Sequence, residues 1–230
     1  LAMAYETQSI GAIIAPFIIG LIADRYFAAQ KILGILHLIG AVLLYMASQA
    51  GSFANFYPYI FIYMLLYMPT LALANSVAFH QMKNPSKEFA PIRVLGSLGW
   101  IMAGLTIGFL AWEGSQVLKY TFYMASGASA LLGIYSFFLP NTPPKFDRKQ
   151  KVSFKTILGL DALALLRDKS YLIFFIASVL VCIPLAFYYQ HANQFLNEVG
   201  MKAAASKMVM GQISEVFFLL LLPIFLNRFG

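Results

Sequence analysis

Long, continuous apolar runs constrain this chain more than any other feature. Seven runs of roughly 20 residues follow one another along the 230-residue sequence, separated by short polar loops. A helix crosses the hydrocarbon core of a bilayer in about 20 residues, so each run is long enough to span a membrane. Strands of a membrane barrel are shorter and alternate in polarity, which these runs do not. The sequence therefore predicts an all-α, polytopic membrane protein with about seven transmembrane helices.

Composition excludes several functional classes. Hydrophobic residues make up 60% of the chain and charged residues 11%, with a net charge of +7. The basic residues lie between apolar runs rather than on one soluble face, so the lipid bilayer, not nucleic acid, is the expected partner. Three scattered histidines and one cysteine provide neither a metal cluster nor a nucleophile with its base. We therefore expect no enzyme, no catalytic residue and no metal site.

Loop charge predicts the orientation. When the loops after the first, third, fifth and seventh runs are placed on one side, that side holds 13 of the 16 Lys and Arg residues. The positive-inside rule makes this side cytoplasmic. The first run then enters from outside, which predicts a missing helix before it and a chain that is a fragment of a larger protein.

A proline-broken basic linker divides the chain. We expect five spans in residues 1–139, a cytoplasmic linker with an amphipathic helix (residues 153–166) in 140–169, and two spans in 170–230. Within the second span, His37 is expected to be a hydrogen-bonded packing residue rather than a ligand or proton carrier.

One stretch near the middle of the chain predicts a pocket. Arg93, Ser97 and Trp100 are spaced i, i+4, i+7 and share a helix face. A guanidinium offers forked donors and an indole a flat stacking surface, which together suit a polar, ring-bearing small molecule. Gly96 and Gly99, beside this face, are expected to let another helix approach closely. The alternative is an arginine that reaches the membrane interface beside a tryptophan of the aromatic belt.

Polar side chains recur inside the last two spans. Tyr189, Gln190 and Asn193 follow Pro184 in the sixth span, where they predict either a water-filled cavity or simply the outer end of the helix. In the seventh span, Gln212 and Glu215 share a face. A carboxylate inside a span indicates an ion path or a substrate contact; the alternative is a buried, hydrogen-bonded acid with no transport role.

Six short stretches are spread in order along the whole chain: Ser9–Ala12, Gly20–Asp24, Tyr67–Leu71, Pro91–Gly99, Leu158–Ala162 and Gln212–Glu215. They resemble the bacterial nucleoside:proton symporter family of the major facilitator superfamily, the nucleoside permeases of Gram-negative inner membranes. The Gly-x-x-x-Asp-Arg order that ends in Asp24 and Arg25 also resembles the superfamily's loop signature between its second and third helices.

The resemblance implies a fold and an activity. Residues 1–139 would form helices 2–6 and residues 170–230 helices 7–8 of a twelve-helix major facilitator fold, with helices 1 and 9–12 absent. The activity would be secondary active transport that imports nucleosides by proton symport through alternating access, in a bacterial inner membrane, with the basic loops cytoplasmic. A proton-coupled symporter of a sugar or another small polar solute is the alternative on the same fold.

The resemblance also implies residue roles. Arg93, Ser97 and Trp100 would contact the nucleoside with Gln212 and Glu215, and Glu215 is the candidate proton carrier. In the sixth span the chain departs from the family pattern, and Tyr188, Tyr189, Gln190 and Asn193 are expected to take over those contacts. Asp24 and Arg25 would form a conformational latch. Protons as the coupling ion, no other cofactor, and a monomeric state complete these expectations.

Overall fold

The computed structural model describes residues 2–113, 117–144 and 160–229, and within them every regular element is helical. The seven long helices of these residues are α1 (Ala2–Arg25), α2 (Ala29–Ser48), α3 (Phe53–Gln81), α4 (Pro85–Phe109), α5 (Lys119–Ser136), α6 (Lys169–Glu198) and α7 (Ala204–Phe229). A short 3₁₀ helix, Leu160–Arg167, precedes α6. Each expected span coincides with one of these helices, so the all-α prediction is confirmed.

The helices have the lengths that a bilayer requires. They range from 18 residues in α5 to 30 in α6. Among the described residues, five helices are long and apolar enough to cross a membrane: α2, α3, α4, α6 and α7. Pro184 lies inside α6 without ending it, as membrane helices tolerate where neighbouring groups compensate for the lost hydrogen bond. The protein is a multi-pass membrane protein.

Side-chain caps fix where several helices begin. Before α3, the Ser52 hydroxyl accepts a hydrogen bond from the Asn55 amide at 3.3 Å. Before α6, the Asp168 carboxylate accepts one from the Tyr171 amide at 2.9 Å. Each cap satisfies an amide that the helix itself leaves unpaired, and so sets the start of the element.

The core surrounds α2, which packs against both α3 and α5, while α1 packs against α3. Glycines make these contacts close. A Cβ at Gly11 would lie 2.7 Å from the carbonyl oxygen of Met64, and one at Gly34 would lie 2.9 Å from that of Gly133. Backbone cannot move aside as a side chain can, so these glycines are what lets the helices approach.

A second group of helices forms around α4. This helix packs chiefly against α7, and α6 makes smaller contacts with α7 and with the 3₁₀ helix. Since α4 belongs to the predicted first part of the chain and α7 to the last, their contact joins the two. The division into 1–139, 140–169 and 170–230 itself stays a prediction. Residues 153–159 of the expected amphipathic helix lie outside the described residues, and the described remainder belongs to the 3₁₀ helix, with Leu163 and Leu165 exposed.

Candidate functional site

The helices α4 and α7 lie antiparallel along a shared seam. A Cβ at Gly104 would lie 2.9 Å from a methyl carbon of Val209, and one at Gly108 would lie 2.9 Å from the backbone nitrogen of Ser206. As residue numbers rise along α4, the numbers of the contacting residues on α7 fall. We call this contact surface the α4–α7 seam.

The close approach depends on different glycines from those expected. A Cβ at Gly99 would meet nothing within 4 Å, and one at Gly96 would meet only the Arg93 guanidinium, at 3.7 Å. The expectation that Gly96 and Gly99 admit a neighbouring helix is wrong. The pair that does so, Gly104 and Gly108, has the Gly-x-x-x-Gly spacing typical of tight packing between membrane helices, and that spacing was the signal in the sequence.

Ser97 and Glu215 meet across the seam. The buried Ser97 hydroxyl donates a hydrogen bond of 2.9 Å to Oε1 of Glu215, while the glutamate itself remains exposed. The carboxylate keeps acceptor capacity on its other oxygen. The only intramembrane carboxylate expected from the sequence therefore lies on the face of α7 that meets α4.

Gln212 lies one helical turn before Glu215, on the same side of α7. Its side chain is only 7% exposed. Its carbonyl oxygen Oε1 has no hydrogen-bond partner among the described residues. A buried acceptor without a donor costs about 1–3 kcal/mol, so a native structure retains one where something else provides the donor.

Two aromatic rings form a wall beside this polar pair. The rings of Trp100 on α4 and Tyr189 on α6 are 5.8 Å apart and tilted by 56°. Because they already touch, they present one continuous surface rather than the two sides of a slot. Trp100 is 55% exposed and Tyr189 47% exposed, so both rings have area free for a further ring to stack on.

Arg93 lies near the same wall. It lies near Tyr189 on α6 and Tyr67 on α3, and Glu215 lies near Tyr189 as well. Within the described part of the chain, the Arg93 guanidinium has no ion pair or hydrogen bond, and the side chain is exposed. Its donors are therefore free for a bound molecule.

The remaining predicted site residues are placed differently. Gln190 is half-buried and makes no hydrogen bond to the described residues. The Asn193 amide is already engaged, since Nδ2 donates to Oε1 of Glu113 at 3.2 Å and Oδ1 accepts from Asn197 at 3.1 Å. Asp24 and Arg25 end α1, but their side chains lie outside the described residues, so the latch stays a prediction.

Two residues show what sequence reasoning missed and what it found. Glu113 was missed because it follows an apolar run, where a carboxylate reads as an ordinary loop charge. His37, expected to be a packing residue, is confirmed as one: it is 8% exposed, and its Nδ1 lies 3.1 Å from the Ser129 hydroxyl. Among the described residues, no cluster of His, Cys, Asp and Glu could hold a metal ion.

The long helices of the described residues thus define a multi-pass membrane protein, and its similarity to a solved nucleoside transporter assigns it the major facilitator fold. More narrowly, the chain belongs to the nucleoside H+ symporter family, whose family model matches residues 1–230. It is 48% identical to YegT of Escherichia coli (strain K12) over 99% of this chain and 54% of that protein. It is 32% identical to the nucleoside permease NupG of the same organism, over 98% of this chain and 56% of NupG.

The solved structures agree with this assignment. A crystal structure of a point mutant of the nucleoside transporter NupG matches with a TM-score of 0.81, at 32% identity, and covers 99% of this chain and 59% of that one. The chain therefore spans little more than half the length of the relatives it matches. These relatives are named as transporters and permeases, and the family is one of symporters rather than enzymes.

Proposed function

We propose that the protein of which this chain is part imports nucleosides by proton symport, and that the α4–α7 seam with the adjoining face of α6 forms its substrate site. The observation that carries the proposal is the unpaired Gln212 carbonyl, buried in the seam one helical turn before Glu215. The family and the named relatives support the substrate class.

A nucleoside matches this set of groups. Its base is flat and uncharged, and the exposed ring faces of Trp100 and Tyr189 offer a surface for stacking. Its N–H and hydroxyl groups are the donors that the Gln212 oxygen lacks, while its carbonyl and ring oxygens accept from Arg93. The seam thus provides a mostly apolar surface with a few convergent polar groups, as small-molecule sites do.

Glu215 is the residue that would couple protons to this binding. When ionised, its carboxylate only accepts hydrogen bonds, including the one from Ser97. When protonated, it gains a donor and loses its charge, so the site changes its hydrogen-bonding character and its net charge together. A substrate that prefers one of the two states then binds with a proton taken up or released.

The surroundings of the site follow from the same proposal. Alternating access would expose the seam first to one side of the membrane and then to the other, as the two predicted parts of the protein rock about it. We place the protein in a bacterial inner membrane as a monomer, with the basic loops in the cytoplasm. Asp24 and Arg25 remain the proposed latch at the cytoplasmic end of α1, and Gln190 and Asn193 proposed contacts on α6.

Radiolabelled uridine uptake tests the proposal, with the full-length protein in proteoliposomes and an inward proton gradient present or absent. Uptake that rises with the gradient is expected. Uptake that ignores the gradient would remove the coupling to protons. The competing possibility is a sugar symporter. If the protein took up a labelled sugar but no labelled uridine, and excess unlabelled nucleoside did not reduce the sugar uptake, the substrate assignment would be wrong.

A further inference from the structure

Glu113 follows α4 and joins three helices through one oxygen atom. Its Oε1 accepts a hydrogen bond of 2.7 Å from the Ala205 amide, in the first turn of α7, and one of 3.2 Å from the Asn193 side chain on α6. A carboxylate at a helix N-terminus satisfies an amide that the helix leaves unpaired, and it complements the helix dipole. Charge-assisted bonds of this kind are stronger than neutral ones.

The partners of Glu113 are themselves held in place. Asn197 donates to the backbone oxygen of Asn193 at 2.9 Å and to its side-chain oxygen at 3.1 Å, which fixes the amide that reaches Glu113. On the other side, the Trp112 ring lies 5.6 Å from that of Tyr120 and positions the chain just before Glu113. We call the contact of Glu113 with Ala205 and Asn193 the junction. Neighbouring residues on both sides of Glu113 hold the junction in place.

Backbone conformation marks the same place. Among the described residues, Ala111 (φ 54°) and Ala203 (φ 53°) are the only non-glycine residues with positive φ. This conformation is unfavourable for a residue with a Cβ and persists where the surroundings enforce it. Each lies two residues before a member of the junction, Glu113 in one case and Ala205 in the other.

The junction closes one end of the α4–α7 seam. Gly108 and Ser206 are in close contact beside it. On the orientation inferred from loop charge, the closed end faces outside. The seam is thus closed on the outer side.

We propose that Glu113 is an outer latch: its two hydrogen bonds hold the predicted halves together on the outer side, and both must break before the substrate site opens outward. This inference rests on the proposed function, because only a protein that alternates its access needs such a latch. It gives the Asn193 amide a role in closing the outer end of the seam.

Cysteine labelling tests the latch in the full-length protein, in a background in which Cys182 and any other reactive cysteine are replaced. Ser206→Cys reports the outer end when a membrane-impermeant maleimide is added outside. Loss of two charge-assisted bonds in Glu113→Ala is expected to raise the labelling rate at this position by about tenfold or more. Asn193→Ala, which removes one of the two bonds, should give a smaller rise.

Glu198→Ala is the matched control. Glu198 is also a carboxylate at the outer end, but its hydrogen bond, to Gln194 at 2.8 Å, stays within α6. Its removal should leave the labelling rate within about twofold of the parent, as for most exposed polar contacts. Equal labelling of the parent, Glu113→Ala and Glu198→Ala would overturn the latch; if Glu113→Ala does not reach the membrane, an unchanged rate in Asn193→Ala does the same.

A second reporter separates a latch from general loosening. Gly99→Cys lies away from the α4–α7 seam, at a position where an added Cβ meets nothing within 4 Å. A latch predicts that Glu113→Ala raises labelling at Ser206→Cys and leaves it unchanged at Gly99→Cys; a rise at both positions would contradict it. Uridine uptake is measured in the same preparations, so absent uptake counts against the nucleoside assignment while the labelling still decides on the latch.

Discussion

Two seams between helices are closed in the same way but differ in how their polar groups are satisfied. Glycines bring α2 and α5 into backbone contact, since a Cβ at Gly34 would lie 2.9 Å from the Gly133 carbonyl oxygen and one at Gly133 3.1 Å from that of Gly34. The buried polar groups of this seam are paired: Ser129 donates to the His37 carbonyl at 2.9 Å and lies 3.1 Å from the His37 ring nitrogen. The buried polar groups between α2 and α5 therefore need no hydrogen-bond partner from outside this seam.

The α4–α7 seam is incomplete. Gly104 and Gly108 close its outer part, but the Gln212 oxygen has no donor and the Arg93 guanidinium no acceptor among the described residues. A buried acceptor without a donor, such as the Gln212 oxygen, destabilises a fold, whereas the exposed Arg93 guanidinium is available to a bound molecule. The difference between the seams teaches that unsatisfied polarity, rather than polarity alone, supports the α4–α7 seam as the proposed substrate site.

The largest expected effect is the loss of proton coupling in Glu215→Gln. The amide is nearly isosteric and can still accept from Ser97, so the fold should be kept, but it cannot carry a proton. The ratio of uridine uptake with and without an inward proton gradient should fall to about one, since Glu215 is the carboxylate that we propose as the proton carrier. Uptake with its pH dependence unchanged would show that Glu215 is not the proton carrier.

The next largest effect is expected for Arg93→Ala. Its affinity for uridine should fall by about 10- to 100-fold, as expected when forked hydrogen bonds to a ligand are lost. The melting temperature should change little, because the guanidinium makes no hydrogen bond to the described residues. Arg93→Lys keeps the charge without the fork and should bind more weakly than the parent. Full affinity in Arg93→Ala would remove this residue from the site.

A third prediction concerns how the α4–α7 seam is packed. Gly108→Ala places a Cβ against the Ser206 backbone, which cannot rotate away, and should destabilise the protein by about 1–3 kcal/mol. Gly127→Ala in α5 is the control, because its Cβ would meet nothing within 4 Å. Thermal unfolding of the purified full-length variants measures the difference. Similar melting temperatures for the two would mean that the seam is looser than described.

His37→Ala tests the seam between α2 and α5, whose buried polar groups are hydrogen-bonded to each other. Loss of the contact with the Ser129 hydroxyl should cost about 1–3 kcal/mol of stability, whereas uridine affinity should stay within about twofold of the parent because the residue lies outside the substrate site. Melting temperature and binding are measured on the same preparation. A large loss of affinity without loss of stability would place His37 in the working part of the protein.

The sequence predicted the helices better than their contacts. Apolar runs long enough for a bilayer leave little choice of structure, so every predicted span is a helix. Which glycine meets which helix depends on how α4 rotates against α7, and a single helix pattern does not contain that information. Gly96 and Gly99 were therefore chosen wrongly, although the spacing of Gly104 and Gly108 was present in the sequence.

The candidate site divides in the same way. Residues that share a helix face, such as Ser97 with Trp100 or Gln212 with Glu215, were grouped correctly by spacing alone. Pairing across helices, such as that of Ser97 with Glu215, is tertiary information that the structure adds. Glu113 escaped notice because its partners, Asn193 and Ala205, lie far along the chain on other helices.

Isothermal titration of uridine into two full-length variants tests the central claim most directly. Gln212→Ala and Ser129→Ala each remove one buried polar group. Gln212 belongs to the α4–α7 seam, and Ser129 belongs to the seam between α2 and α5. We predict that Gln212→Ala loses about tenfold in affinity, as for one lost hydrogen bond, with its melting temperature unchanged. Ser129→Ala should bind as the parent does and melt lower. Parent-like affinity in Gln212→Ala, or weakened binding in Ser129→Ala, would contradict the assignment of the substrate site to the α4–α7 seam.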